Sequence, residues 1–316
     1  MSLGYTRPLY LLPFDHRHSY VAGMFHYPPP LTAKQHGKVA DSKRVIYEGF
    51  TQSIGAGVPI RSAGILVDEQ FGAEILRDAT ASGYMTALST EKSGSDEFEF
   101  EFGPAFAEHI EAFNPTFVKV LVRYNPEDDA ALNQRQAARL KQLSEYCRTT
   151  NRRFMFELLV PATRTQMDRM HADKDRYDLQ VRPNLMLQSI RALQDLGVEP
   201  DVWKIEGLDR HEDCERVVET AQRDGRREVG CIVLGRGADE KKVVSWLETA
   251  ATVPGFIGFA VGRTTFWDAV ADYVAGKATR QVAATRIAAR FQKWVAIFEK
   301  ARGARESGVM LERKQH

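Results

Sequence analysis

The stretch DVWKIEG (201–207) sets Lys204 and Glu206 inside an otherwise apolar, β-branched and aromatic run. Side chains of an extended chain alternate between two faces, so Val202, Lys204 and Glu206 share one face while Trp203 and Ile205 share the other. If the bulky Trp203 and Ile205 face outer helices, Lys204 points into a core. FVKVLVRYN (117–125) repeats the pattern with Lys119 and Arg123, and RFMFELLVP (153–161) with Glu157. Inward charges on neighbouring strands are costly as structure alone, but they suit Schiff-base chemistry. A lysine that is desolvated and crowded by a second cation is neutral part of the time, and its amine attacks a ketone. In that scheme Lys204 is the nucleophile and Lys119 the crowding cation. Glu157 moves protons through carbinolamine, iminium and carbon-carbon cleavage.

Each residue also has a plainer role to weigh. A buried lysine normally finds a carboxylate, and Glu206 stands two residues from Lys204. Glu157 suits an internal salt bridge to Lys119 or Lys204, and Asp15 suits a helix or loop cap. The convergence of Lys204, Lys119 and Glu157 favours chemistry over these alternatives.

Something must bring these residues together. Eight apolar runs are spaced along the chain, at 9–15, 63–69, 84–92, 117–125, 153–161, 201–207, 229–237 and 256–264. Amphipathic helical patterns lie between them, as at 132–150, 184–197 and 240–251. Strand-helix alternation implies parallel strands joined by right-handed crossovers, and this number of units predicts an α/β fold of the (β/α)8 TIM-barrel type. An open doubly wound sheet is the alternative, but no GxGxxG or Walker-type loop follows an early strand. The barrel is expected over residues 8–300, with a polar, frayed C-terminal tail at 301–316 and long loops at 25–37 and 163–183.

Barrel active sites lie at the C-terminal ends of the strands, and polar residues gather there. Strand one ends in Asp15, His16 and Arg17, strand two in Asp68 and Glu69, strand three in Glu91 and Lys92. Strands seven and eight end in Gly235-Arg236-Gly237 and Gly262-Arg263. Glycines after the last two strands let backbone N–H groups approach a phosphate. The plainer role for both arginines is a solvated side chain on a turn.

Composition narrows the partners. With 43 Lys+Arg against 42 Asp+Glu and a net charge of +1, no broad basic surface for nucleic acid or anionic membrane is implied. Three scattered cysteines, Cys147, Cys214 and Cys231, suit a reducing cytoplasm, and no apolar run is long enough to span a membrane. His16, His18, His26 and His211 lack HxxxH-type spacing, so neither a metal nor another cofactor is expected.

Taken together, LPFDHR, YEGF, EKSG, VLVRYNP, FELLVPAT, WKIEG, VLGRG and GFAVGRTTFW resemble the class I tagatose-bisphosphate aldolases and the related sulfosugar-phosphate aldolase. The closer resemblance, over roughly 8–298, is to the aldolase-like domain found alone or fused behind the sugar kinase of bacterial myo-inositol catabolism. The resemblance implies a metal-independent aldolase with Lys204 as Schiff-base lysine, Glu157 as proton-transfer glutamate, Lys119 as second lysine and Asp15 as strand-one aspartate. The family pattern on strand one is DQR, so His16 is a departure. The family SAG is GRG here, so Arg236 stands in for a serine contact to phosphate. The implied substrate is 2-deoxy-5-keto-gluconate 6-phosphate, cleaved to dihydroxyacetone phosphate and malonate semialdehyde. Its carboxylate would be bound by Arg17, Arg123 or Arg182. His16 and Glu206 are further substrate-binding candidates. The resemblance also implies a functional link to a separate sugar kinase, and it is compatible with a homo-oligomer without requiring one. Two alternatives stand beside this: a sugar-phosphate isomerase or epimerase using Glu157 and His16 without a covalent step, and a barrel that binds a sugar phosphate without turning it over.

Overall fold

The computed structural model describes the backbone of residues 2–313 and the side chains of residues 2–305. Its centre is a closed barrel of eight parallel strands, in which β8 pairs with β1. The strands are β1 (Leu9–Pro13), β2 (Ala63–Val67), β3 (Met85–Ser89), β4 (Phe117–Arg123), β5 (Arg153–Leu159), β6 (Val202–Glu206), β7 (Gly230–Leu234) and β8 (Phe256–Ala260). All lie within the runs read from the sequence, and helices separate them, so the fold is the expected (β/α)8 barrel.

Every strand stops before its apolar or polar run does. Beyond the strand ends the chain turns into caps and loops: Asp68 caps the helix Glu69–Ala81 through the Phe71 N–H, and the helix Arg263–Val274 begins directly after Gly262. Inside the barrel the side chains are layered, as period-two alternation demands. Phe117, Met155, Val202 and Ile232 form an apolar layer, with Tyr5 packed among them from below. Two residues further along the same faces stand Lys119, Glu157 and Lys204. Trp203 and Ile205 point the other way into the apolar layer between barrel and helices, where Trp203 meets Phe156 at 4.9 Å between ring centres.

Four expectations about the connections change. The 163–183 segment contains the helices Arg164–Arg169 and Lys174–Gln180 and the start of Arg182–Asp195. Its helix signals are short, a Thr163/Gln166 capping box and an Asp173 cap on the Arg176 N–H, and its many charges hide them. Within 25–37, a π-helical turn ends at Phe25 and a second capping box, Thr32/Gln35, starts a helix at Ala33. The polar tail from 301 continues the helix Arg280–Arg313, and residues 314–316 lie outside the described residues. Residues before 8 also belong to the barrel: the Gly4 N–H donates to Asp201 Oδ1 at 2.8 Å and Tyr5 packs edge-on against Phe117.

Candidate active site

Register builds the centre of the site. Glu157 on β5 and Lys204 on β6 are direct pairing partners with inward side chains, and Glu157 Oε1 lies 2.5 Å from Lys204 Nζ. The other carboxylate oxygen, Oε2, is 2.9 Å from Lys119 Nζ on β4, so Glu157 bridges the two lysines. Lys119 also donates to Asp15 and to Glu91, each at 2.8 Å. All five side chains are buried. Asp15, Glu91, Glu157 and Lys204 face a cavity of about 780 Å³ at the C-terminal mouth of the barrel.

This arrangement gives Glu157 salt bridges to both lysines, its plainer role, and corrects the Glu206 partner expected for Lys204. Lys204 takes its carboxylate from Glu157 on the neighbouring strand. Glu206, one layer higher, instead accepts from the Val160 N–H at 2.9 Å and faces Arg236 at 3.0 Å. Lys119 is more than a bare crowding cation, because three carboxylates surround it. Asp15 is an ion-pair partner of Lys119, in place of the helix or loop cap that was the plainer expectation.

Electrostatics follow from burial and these contacts. Burial disfavours charge on Lys119, but Asp15, Glu157 and Glu91 outweigh it and raise the lysine's pKa above its ordinary value. Burial opposes ionisation of Glu157 too, and there Lys119 and Lys204 win, holding the carboxyl below its usual range. Asp15 is lowered in the same way, against its own burial, chiefly by Lys119. Glu91 differs, since burial dominates and raises its pKa despite Lys119 and Arg17. His16 is pushed down to about 4, first by burial, with Arg263 and Lys204 adding to it against the pull of Asp15, so it is neutral at pH 7.

The remaining candidates separate by location. His16, Arg17, Arg123, Glu206, Gly235, Arg236, Gly237, Gly262 and Arg263 line the cavity, whereas Arg182 is buried behind it. Arg182 donates to Asp178 Oδ1 at 2.9 Å and to the Gly207 carbonyl at 3.1 Å. Arg17 is held by Glu101 Oε2 at 2.6 Å and by the Glu91 carbonyl. Arg236 pairs with Asp178 at 2.5 Å as well as with Glu206. Its backbone lies in the left-handed region at φ 50°, which is costly for a residue with a Cβ. Asp68 and Glu69 turn away from the cavity, to Lys43 and His109 respectively.

Two glycines of the β7 and β8 ends are favoured for different reasons, backbone conformation at Gly237 and space at Gly262. Gly237 has φ +74°, and a Cβ there would lie 2.7 Å from the Arg263 guanidinium carbon. A Cβ on Gly262 would lie 2.5 Å from the Pro13 carbonyl oxygen. The chain thereby packs tightly where the twelve-residue helix Arg263–Val274 presents its N-terminus, a setting suited to an anion.

Glu91 is the residue that sequence reasoning left out of the site. Its signal was present: Ala87 is inward on β3, and steps of two lead through Ser89 to Glu91. Because the strand ends at Ser89, nothing local tells which of Glu91 and Lys92 turns inward.

The chain superposes on class I fructose-bisphosphate aldolase-like TIM barrels. A Schiff-base-forming fructose-1,6-bisphosphate aldolase matches with TM-score 0.54 and 12% identity, over 90% of this chain and 93% of that one. Fructose-bisphosphate aldolase from Plasmodium falciparum matches with TM-score 0.58 and 13% identity, over 94% and 91%. The protein Cgl0159 from Corynebacterium glutamicum matches with TM-score 0.54 and 18% identity, over 90% and 87%. At these identities the likeness is one of fold. The family model described as "uncharacterized protein conserved in bacteria (DUF2090)" matches residues 5–302, and the chain belongs to this family. Among curated proteins, none matches.

Proposed function

We propose that the protein is a class I aldolase that cleaves a phosphorylated keto sugar acid through a Schiff base on Lys204. The observation that carries this reading is the contact of Lys204 Nζ with Glu157 at 2.5 Å, on the wall of a cavity large enough for a sugar phosphate. The Lys204 amine attacks the substrate ketone, and the carbinolamine loses water to give an iminium. Loss of the proton from the hydroxyl on the carbon beyond the breaking bond turns that carbon into an aldehyde. The bonding electrons move into the iminium, giving an enamine. Protonation of the enamine and addition of water release the second product and restore the amine. Glu157 is in place to take and return protons at Nζ, and Lys119 keeps it ionised between transfers.

The proposed substrate is 2-deoxy-5-keto-gluconate 6-phosphate, giving dihydroxyacetone phosphate and malonate semialdehyde. The sequence resemblance to the aldolase-like domain of bacterial inositol catabolism supports it, as does a mouth that combines phosphate-suited and cationic groups. Its phosphate would sit at Gly235–Gly237 and Gly262–Arg263, and a separate kinase would supply it. The test is to incubate the protein with dihydroxyacetone phosphate and borohydride and map the added mass by peptide mass spectrometry. An adduct on Lys204 is expected; its absence from folded protein, or an adduct elsewhere, overturns the reading.

A further inference from the structure

The cations around the cavity divide sharply by partner. Lys119, Lys204, Arg17, Lys92 and Arg236 each stand within salt-bridge distance of at least one carboxylate. Arg123 and Arg263 have no carboxylate partner among the described residues: Arg123 donates to the Ser95 carbonyl at 3.2 Å, and Arg263 to the Arg236 carbonyl at 2.6 Å. Lys174, the other such cation on the wall, sits on the short helix Lys174–Gln180 away from the strand ends. Topology places the two free guanidiniums. In the closed order β1 to β8, Arg123 on β4 and Arg263 directly after β8 are four strands apart, on opposite sides of the mouth. Lys204 on β6 is two strands from each.

The two places differ in the charge they suit. Arg263 adds its guanidinium to a helix N-terminus and closely packed glycine backbone, a combination that favours a dianionic phosphate. Near Arg123 the cavity wall carries Asp96 and Glu97. Glu97 is paired with Arg135 and Arg139, but Asp96 has no salt-bridge partner among the described residues. A lone guanidinium beside an acidic group balances at most one added charge, and its planar fork matches a carboxylate bidentately.

We infer that Arg123 is the specificity-determining residue for a substrate carboxylate, so that the site takes an open chain with a carboxylate at the β4 side, a phosphate at the β8 side and the ketone between them at Lys204. This rests on the aldolase reading for the ketone, while the two anion sites are testable without it. Two six-carbon probes that lack a ketone, and so form no Schiff base, differ mainly at one end: 6-phosphogluconate has a carboxylate where glucitol 6-phosphate has an alcohol. Calorimetric titration of the full chain should show 6-phosphogluconate binding at least about tenfold more tightly, since a charge-assisted bidentate contact exceeds a neutral one by roughly that factor. Arg123→Met should abolish the difference while changing glucitol 6-phosphate affinity less than about twofold, and Arg123→Lys should keep part of it. Arg263→Met should weaken both probes alike. Equal affinity for the two probes, discrimination that survives Arg123→Met in protein with unchanged circular dichroism, or no binding of either probe overturns the inference. Discrimination without a borohydride adduct at Lys204 would overturn the aldolase reading and leave the Arg123 assignment standing; an adduct without discrimination would do the reverse.

Discussion

Two buried lysines in this molecule have opposite surroundings. Lys43, in the helix Ala33–Gly55, is fully buried and paired with Asp68, whose other oxygen caps the next helix through the Phe71 N–H. The rings of Tyr20 and Phe71 close over the Lys43 ammonium at 5.6 and 5.3 Å. Both Asp68 oxygens are thus occupied, and neither residue faces the cavity. Lys204 is nearly as buried, at 3% exposure, but its partner Glu157 is shared with Lys119 and both face the cavity. Burial of a lysine therefore says little about function. What separates the two is whether the partner is wholly committed and whether space remains for a third molecule.

The sharpest contrast comes from removing each amine. Lys204→Met should abolish the borohydride adduct and any turnover. Its cost in stability should be below that of Lys43→Met, because Glu157 keeps Lys119 as partner; mass spectrometry and urea unfolding measure the two effects. Lys43→Met leaves Asp68 buried without its counter-charge and should cost about 3–5 kcal/mol, read as a lowered urea midpoint. Adduct formation per folded molecule should persist. Removing both partners, in Lys43→Met with Asp68→Leu, should recover much of that loss, less the about 1 kcal/mol of the cap that Asp68→Leu also removes; a double variant no better than the single would show that the uncompensated charge is not the main cost.

Glu157→Gln sharpens the comparison from the carboxylate side. The amide keeps the shape but cannot carry the proton, so adduct formation in rapid-quench trapping should slow by about 10²–10⁴-fold. An unchanged rate would assign the proton transfer to another group, with Asp15 the nearest alternative across Lys119.

The smallest effect concerns His16. With its pKa near 4, it should show no NMR titration between pH 5 and 8. Between the folded value and the ordinary one near 6.5, the unfolded chain binds a proton that the native chain does not. The stability this group contributes is therefore full above the unfolded pKa and lost as pH falls through the folded one. His16→Gln should flatten that part of the stability profile, and an unchanged slope would place the linkage elsewhere.

The barrel was legible because each strand-helix unit states its period locally, and eight units of that kind close in one familiar way. The inward set of Lys119, Glu157 and Lys204 was legible for a similar reason, since alternation from Phe117, Met155 and Val202 is a property of one strand at a time. Helices inside 163–183 were not, because a capping box of two residues is a weak signal in a charged segment. Glu91 was hidden by its place just beyond the end of β3.

The sequence by itself determined which side chains of each strand share a face, because a strand's two faces follow from backbone geometry alone. Only the tertiary structure decided who meets whom: Glu157 with Lys204 in place of Glu206, three carboxylates around Lys119, and Arg17, Arg182 and Arg236 paired with acids while Arg123 and Arg263 have no acidic partner among the described residues. Pairing depends on the register between strands and on loops far apart in the chain, and the Coulomb energy that selects among partners falls with a distance that no single segment contains.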